Sequence, residues 1–184
     1  MFVSVADRVS STHQPSDSRF VPHTMSALFK KLNLGVHRLI HILHAPPSFE
    51  GELAALTDVE VKRKAVGRVH FAMAFVITQA ELDAASAALA KVADGDAILW
   101  MVYPKKSSKK YACEFNRDTG WHVLGAAGFE PVRAVAVDDD WSALRFRRAE
   151  FIKTMTRDAA MTISDAGKQK ASALKTARTS RPSR

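Results

Sequence analysis

The sequence predicts an α/β fold in which a single, mostly parallel sheet is flanked by helices and closed by an antiparallel C-terminal hairpin. Strand-sized apolar runs alternate with segments of helical period, and this order favours parallel strands joined by right-handed crossovers. The last two strands are separated only by Asp138-Asp139-Asp140, which is too short for a crossover, so they should pair antiparallel. The chain has 184 residues, 47% of them hydrophobic and 25% charged, which suits one domain with one core.

Six apolar segments carry the predicted strands. They lie at residues 36–43, 59–64, 67–77, 97–103, 131–137 and 142–147. The third is almost continuously apolar, as expected of a strand buried on both faces, whereas the second is short and polar and should lie at an edge. Asp94-Gly95-Asp96 should form a turn before the fourth. In the last strand, Leu144 and Phe146 should face the core. Arg145 and Arg147 alternate with them and should face the other way.

Four helices are predicted from caps and apolar stripes. They lie between Ser26 and Gly35 and at residues 48–56, 79–92 and 118–127. Ser26, Ser48 and Thr78 stand at the start of the first three helices, and their side chains can cap those N-termini. Gly128 follows the last helix, and glycine in the left-handed conformation commonly ends a helix at this position.

The chain divides into an N-terminal extension, a domain and a basic tail. Residues 1–24 mix Ser, Thr, Pro, His and Asp without periodicity and should be disordered; translation could start at Met1 or at Met25. Residues 25–150 form the predicted α/β domain. Residues 151–184 carry eight basic and two acidic residues, and we expect a detachable tail that is largely disordered or helical.

The tail therefore accounts for most of the net charge of +8. Flexible basic segments bind nucleic acid weakly and without sequence specificity, although a solubilising extension with no partner explains the composition equally well. The candidate nucleic-acid-binding residues are Lys168, Lys170, Lys175, Arg178, Arg181 and Arg184.

The composition also bears on location. The longest apolar run, residues 71–77, is far shorter than the ~18 residues that a membrane helix needs. Residues 2–6 are too few for a secretory signal, so we expect no membrane partner. Cys113 is the single cysteine, which excludes an intramolecular disulfide and favours a reducing, cytoplasmic compartment.

Three segments resemble a bacterial family of small proteins of unknown function, over about residues 26–150. They are a strand that ends in Trp-x-x-x-Pro-Lys from Trp100, a helix that carries Trp121, and the closing strand Asp138-Asp-Asp-Trp-Ser-Ala-Leu-Arg-Phe. The resemblance implies the fold class and a bacterial cytoplasm, and it transfers no catalytic residue.

The topology is also distantly similar to the C-terminal half of Rossmann-like methyltransferases. Those enzymes place a Gly-rich turn after the first strand, where the backbone approaches the cofactor. Here that position holds Pro46-Pro47, and no G-x-G-x-x-G motif occurs in the chain. We therefore expect no S-adenosylmethionine site and no bound cofactor.

The loop after the fourth strand is the strongest candidate site. It follows the carboxyl end of a buried strand, where open α/β sheets bind ligands, and its lysines and hydroxyls could bind a phosphate. A solvated basic loop is the alternative. The candidate anion-binding residues are Lys105, Lys106, Ser107, Ser108, Lys109 and Lys110.

Other candidates indicate structure rather than chemistry. His37 and His41 on one strand would lie ~13 Å apart, too far to share a metal. The Asp138–Asp140 triplet could bind a cation, but aspartates are typical of turns. Cys113 and His122 have no local nucleophile motif around them. The sequence therefore predicts no metal site and no catalytic residue.

These observations favour a non-enzymatic binding module with a Rossmann-like fold and a tail capable of weak nucleic-acid contact. Two alternatives use the loop from Lys105 to Lys110: a small protein that binds a nucleotide or another phosphate ligand, and a degenerate methyltransferase-like enzyme.

Overall fold

Six strands form one mixed sheet in the computed structural model, which describes residues 26–154 and 161–179. The strands are β1 (Leu39–Leu43), β2 (Glu60–Lys62), β3 (Val69–Phe75), β4 (Ala93–Pro104), β5 (Phe129–Ala136) and β6 (Trp141–Arg148). Their order is β2-β1-β3-β4-β6-β5. The first four are parallel, and β6 pairs antiparallel with both β4 and β5. The predicted fold class is therefore confirmed, including the closing hairpin.

Helices cover both faces of this sheet. They are α1 (Ala27–Lys31), α2 (Glu50–Ala54), α3 (Gln79–Val92), α4 (His122–Ala126) and α5 (Asp165–Thr179), with 3₁₀ turns at Pro47–Phe49 and Ala149–Phe151. On one face, α3 and α4 bury Leu82 and Leu124 against strand residues that include Phe146. On the other, α1 and α2 bury Phe29 and Leu53 in the cluster that contains Trp100.

The predicted caps of α1 and α3 are confirmed. The Ser26 side chain accepts a hydrogen bond from the Phe29 N–H. Thr78 accepts one from the Glu81 N–H, and the Glu81 carboxylate accepts in turn from the Thr78 N–H. This reciprocal pair satisfies donors that a helix N-terminus leaves without intrahelical partners. The range of α3 is the predicted one.

The predicted cap at Ser48 is wrong, because Ser48 lies inside the 3₁₀ turn that Pro47 begins. The turn runs directly into α2, whose N-cap position is Phe49 and has no side-chain cap. Proline suits the first position of such a turn, since its φ is already fixed near the helical value.

The predicted turn at residues 94–96 is also wrong, because these residues belong to β4. The strand begins at Ala93, immediately after α3, and its register with β3 shifts between Val69 and Phe71. Gly95 has a φ of +54° within this irregularity. Such a bulge accommodates extra residues without ending the strand.

Helix α4 begins later than predicted, at His122 rather than at Asp118. The residues before it form a turn in which the Asp118 N–H donates to Asn116 Oδ1 at 2.8 Å. An asparagine side chain that accepts from the backbone two residues on offers the chain an alternative to helix. Gly128 follows the helix with a φ of +81°, as predicted for its end.

The tail returns to the domain at residues 161–170. Glu130 of β5 is 2% exposed, and its carboxylate accepts hydrogen bonds from Ser164 N at 2.7 Å and Ser164 Oγ at 2.6 Å. Ile163 N donates to the same carboxylate at 3.1 Å, and Lys170 Nζ donates to the Ala149 carbonyl at 3.0 Å. The tail expected to be detachable thus contains a segment bonded to the domain, because a buried carboxylate needs donors.

The remaining expectations concern the termini and membranes. The N-terminal extension at residues 1–24 lies outside the described residues. Within the described ranges, no helix is long and apolar enough to cross a membrane.

Candidate functional site

The sheet reverses its strand order between β1 and β3. From β1 the chain adds β2 on one side and then returns to add β3 on the other. In open α/β sheets, ligands bind outside the carboxyl ends of the strands near such a reversal. A cavity of about 760 Å³ lies at the carboxyl end of the next strand, β4. Its volume is in the range of small-molecule sites.

The cavity is formed by the long segment between β4 and α4. Its walls come from residues 103–107 and 111–117, with Ser142 of β6 added from the hairpin. Most of the site is therefore contiguous in sequence, and Ser142 of β6 lies beside its register partner Tyr103 of β4.

Aromatic rings support one wall. Tyr103, at the end of β4, has its ring centroid 5.9 Å from that of Phe115 and 5.7 Å from that of Trp121. Burial raises the pKa of the Tyr103 hydroxyl above its usual value, although Arg117 acts in the opposite direction. Trp121 Nε1 donates to the Arg117 carbonyl at 3.0 Å, so the packed aromatic cluster also anchors the backbone of the loop.

Cations dominate the polar part of the lining. Lys105, Lys106 and Arg117 all border the cavity. Glu114 borders it as well, but its carboxylate accepts a hydrogen bond from Gln79 N, at the start of α3, at 2.7 Å. The acidic group is thus directed to a helix N-terminus, where negative charge is stabilised.

The basic loop is tied to the aspartate turn of the hairpin. Asp140 accepts hydrogen bonds from Ser108 Oγ at 2.9 Å and Lys110 Nζ at 2.8 Å. These two donors lower the pKa of Asp140, and the same ion pair raises the pKa of Lys110. Lys105 Nζ donates to the Asp138 carbonyl. The structure therefore joins two segments that the sequence presented as separate candidates.

This tether divides the six candidate anion-binding residues. Lys105, Lys106 and Ser107 border the cavity. Ser108 and Lys110 face Asp140 instead. Lys109 is exposed and is not among the residues that border the cavity.

The aspartate triplet has the bonding of a turn. Asp138 Oδ1 accepts from Asp140 N at 2.8 Å and from Trp141 N at 2.7 Å. The carboxylates of Asp138 and Asp140 are both engaged within the hairpin and its loop, as the turn interpretation predicts.

The histidines near β1 lie in different surroundings. His37 stacks on His70 with ring centroids 6.4 Å apart, and burial together with His70 lowers the pKa of His37. His41 is buried, with Nε2 3.1 Å from the Val66 carbonyl oxygen. Among the described residues, no three His, Cys, Asp or Glu side chains lie close enough to bind one metal ion.

Cys113 and His122 have separate partners. His122 Nε2 is 3.5 Å from Asp83 Oδ2. Cys113 borders the cavity, and burial raises the pKa of its thiol. A raised pKa disfavours the thiolate, which is the nucleophilic form.

Two of the candidate nucleic-acid-binding residues have polar partners among the described residues. Lys168 pairs with Asp165 at 3.2 Å, and Lys170 donates to the carbonyls of Ala149 and Glu150. Lys175 and Arg178 belong to α5, with side chains outside the described set. Arg181 and Arg184 lie outside the described residues.

Sequence reasoning missed Arg117, Asn116 and Ser142 at the cavity. The first two precede α4, in a stretch interpreted partly as helix. The pattern Asn116-Arg117-Asp118-Thr119-Gly120 is typical of a turn, and that signal could have placed Arg117 on the loop.

Comparisons with known proteins give only distant structural similarity. No protein-family model and no curated protein matches the chain. Among solved structures, the magnesium protoporphyrin IX methyltransferase from Synechocystis with bound SAH is 14% identical over 66% of this chain and 78% of that chain, with a TM-score of 0.44. The N-methyltransferase NodS from Bradyrhizobium japonicum is 11% identical over 66% and 83%, also with a TM-score of 0.44. These scores are low, and the fold assignment rests on the strand order and pairing described above.

The turn after β1 does not fit the glycine-rich turn that would bring the backbone close to a cofactor. β1 ends at Leu43, His44 has a φ of +53°, and Pro46 and Pro47 lead into a 3₁₀ turn. Proline lacks the N–H that such a turn presents, and its ring fills the space that glycine leaves open.

Proposed function

We propose that this chain is a binding module for a small phosphate-bearing ligand, such as a nucleotide, and that the ligand occupies the cavity at the carboxyl end of β4. The observation that carries the proposal is the lining itself, in which Lys105, Lys106 and Arg117 share one cavity with an aromatic cluster.

The cations suit a phosphate group. Arg117 offers a planar fork that binds phosphate through two parallel hydrogen bonds, and Lys106 adds a mobile point charge. Ser107 adds a hydroxyl beside Lys106. Since Glu114 is directed to α3, the charge available to a ligand is positive.

The aromatic wall suits a flat apolar group on the same ligand. Tyr103 and Phe115 border the cavity, and Trp121 packs behind them with its centroid 5.4 Å from that of Phe115. Rings held in place by such packing offer a preformed surface for stacking. A nucleotide combines both features.

Binding without catalysis is the function that the reactive groups favour. The Cys113 thiol has a raised pKa, and His122 is paired with Asp83. The methyltransferase-like alternative predicts that S-adenosylmethionine binds instead. The prolines after β1 argue against that cofactor. We keep the proposals of a cytoplasmic location, from the single cysteine, and of weak nucleic-acid contact through the tail.

Thermal unfolding with ligands tests the proposal. Nucleotides, inorganic phosphate and S-adenosylmethionine are each titrated against the full chain. A ligand at 100 times its Kd adds about 2.7 kcal/mol of stability, which in a chain of this size raises Tm by roughly 5–11 °C.

Three single variants locate the site. Lys106→Ala and Arg117→Ala should remove most of the shift, whereas Lys109→Ala removes an equal charge from the same loop outside the cavity and should retain it. Stabilisation by S-adenosylmethionine alone would favour the enzyme alternative. Equal loss in all three variants would mean that the loop acts only through its overall charge, and the cavity proposal would be abandoned.

A further inference from the structure

Three arginines lie in a row on the sheet face that α1 covers in part. Arg133 of β5 is the register partner of Arg145 of β6, and directly opposed residues in an antiparallel pair share a face. Arg147 lies two residues further along β6, so it shares that face too. We call Arg133, Arg145 and Arg147 the arginine row.

The three positive charges of the arginine row are not matched by an equal number of nearby carboxylates. Asp96 accepts hydrogen bonds from both Nε and Nη2 of Arg147, the first at 2.6 Å. Arg133 donates to a neutral acceptor, Asn33 Oδ1, at 3.3 Å. Within residues 26–154 and 161–179, no carboxylate lies within 4 Å of the Arg133 or Arg145 guanidinium. Two of the three arginines therefore lack an ionic partner there.

Arg145 has the least favourable surroundings for a charge. Its Nε is buried without a hydrogen-bond partner among the described atoms. The pKa of Arg145 is lowered, and burial is the largest cause. The positive charges of Arg147 and Arg133 also lower it, and only Asp96 opposes them. An unpaired donor in a half-buried site is costly, and an anion on this face would offset that cost.

The arrangement suits a chain of phosphates better than a single one. Residues two apart on a strand are separated by ~6.6 Å, so the backbone places Arg145 and Arg147 at two successive positions along β6 rather than around one point. Lys30 and Lys31 occupy the last turn of α1, just before the Asn33 that contacts Arg133. These lysines are exposed and extend the positive surface beyond the strands.

We propose that the arginine row binds the phosphodiester backbone of a nucleic-acid strand. Guanidinium groups bind phosphates through paired hydrogen bonds, and such contacts carry no sequence preference. The site is separate from the cavity, because Ser142, which borders the cavity, and Arg145 face opposite sides of β6. It is also separate from the tail, because its arginines belong to β5 and β6, whereas the first candidate tail residue, Lys168, belongs to α5.

Fluorescence anisotropy with a labelled 20-nucleotide single strand tests this, using the full chain between about 50 and 200 mM salt. The wild type should bind with a steep salt dependence. Arg133 is exposed, so the Arg133→Gln variant should fold normally. The double variant with Arg145→Gln removes both guanidinium groups that lack a carboxylate partner. We expect Arg133→Gln to weaken binding about tenfold, the loss typical of one charge-assisted contact. The double variant should also reduce the slope of log K against log salt by ~1.4.

Two controls remove charge elsewhere. Arg63→Gln removes one charge at the opposite edge of the sheet, where Arg63 pairs with Glu50. Lys62→Gln with Arg63→Gln removes two charges from that edge, where Lys62 Nζ lies 3.8 Å from Glu60 Oε1. Both should bind nearly as the wild type does. The proposal is overturned if the wild type does not bind at 50 mM salt, if Arg133→Gln binds unchanged, or if the controls lose as much affinity as the row variants. Inorganic phosphate at millimolar concentration should compete poorly, and full competition would indicate a single-phosphate site instead.

Discussion

Replacing Gly167 with alanine should weaken the attachment of the C-terminal segment to the domain. A Cβ added at Gly167 would overlap Glu130 Oε1 and lie 2.8 Å from Glu130 Cδ. The Glu130 carboxylate cannot keep its place, because the same atoms accept hydrogen bonds from Ser164 N and Ser164 Oγ. The added methyl group therefore overlaps a buried carboxylate that is fixed by hydrogen bonds.

The size of the effect follows from two opposing contributions. Moving the carboxylate loses at least one hydrogen bond to a charged group, which costs about 1.5–3 kcal/mol. Alanine in place of glycine inside a helix stabilises by about 0.5–1 kcal/mol. The net loss is therefore about 0.5–2.5 kcal/mol in the free energy of unfolding, or roughly 1–10 °C in Tm for a chain of this length.

Urea and thermal melts of Gly167→Ala and Gly51→Ala measure this difference. Gly51 lies in α2 with no atom within 4 Å of an added Cβ, so Gly51→Ala isolates the helix propensity and should stabilise. The two variants should thus differ in sign. A Gly167→Ala protein as stable as Gly51→Ala would refute the packing of residues 161–167 on Glu130 and restore the detachable tail.

Two further predictions concern the core and α3. Phe146 is fully buried beside Trp121, and Phe146→Ala should cost about 3–5 kcal/mol in a urea melt; a loss under about 1 kcal/mol would place that face of β6 in solvent. The N–H groups of Ile77 and Thr78 lower the pKa of Glu81, so the carboxylate stabilises the fold above the usual glutamate pKa, and that stability is lost as pH falls through the lower folded value. Glu81→Gln should be less stable than the wild type by at most about 1 kcal/mol at pH 7, since Glu81 is exposed, and the gap should narrow as the pH falls below the usual glutamate pKa. A gap that does not narrow as the pH falls would contradict this reasoning.

The fold was largely predictable because its determinants are local. The apolar run before Thr78 and the stripe after it define β3 and α3, and the short Asp138–Asp140 connection allows only a hairpin. The errors arose where tertiary pairing overrides local signals. Gly95 has the residues of a turn around it, yet β3 pairs with Ala93 before this stretch and with Ile98 after it, so the stretch forms a bulge within β4.

The candidate site was predictable only in part. The position of a ligand loop after β4 follows from the general rule for open α/β sheets. The roles of individual lysines do not, because they depend on contacts across the chain. Lys110 faces Asp140, thirty residues away in sequence, while Lys106 borders the cavity. Arg117 was missed because it lies between the basic loop and the helix predicted from Asp118, in a segment to which no role was given.

The distribution of charge along the sequence differs from its distribution over the folded surface, and the two predict different sites for nucleic-acid contact. By segment, the positive charge belongs to the tail, and residues 25–150 are nearly balanced. In the fold, several acidic residues of the domain pair with nearby cations: Asp140 with Lys110, Glu50 with Arg63 and Asp96 with Arg147. Among the described residues, Arg133 and Arg145 have no carboxylate partner, so their positive charge is not neutralised on one face of the sheet. Because phosphates respond to charge within about a Debye length, ~10 Å at 0.1 M salt, the proposed site depends on the charges near Arg133 and Arg145 and not on the net charge of the whole segment.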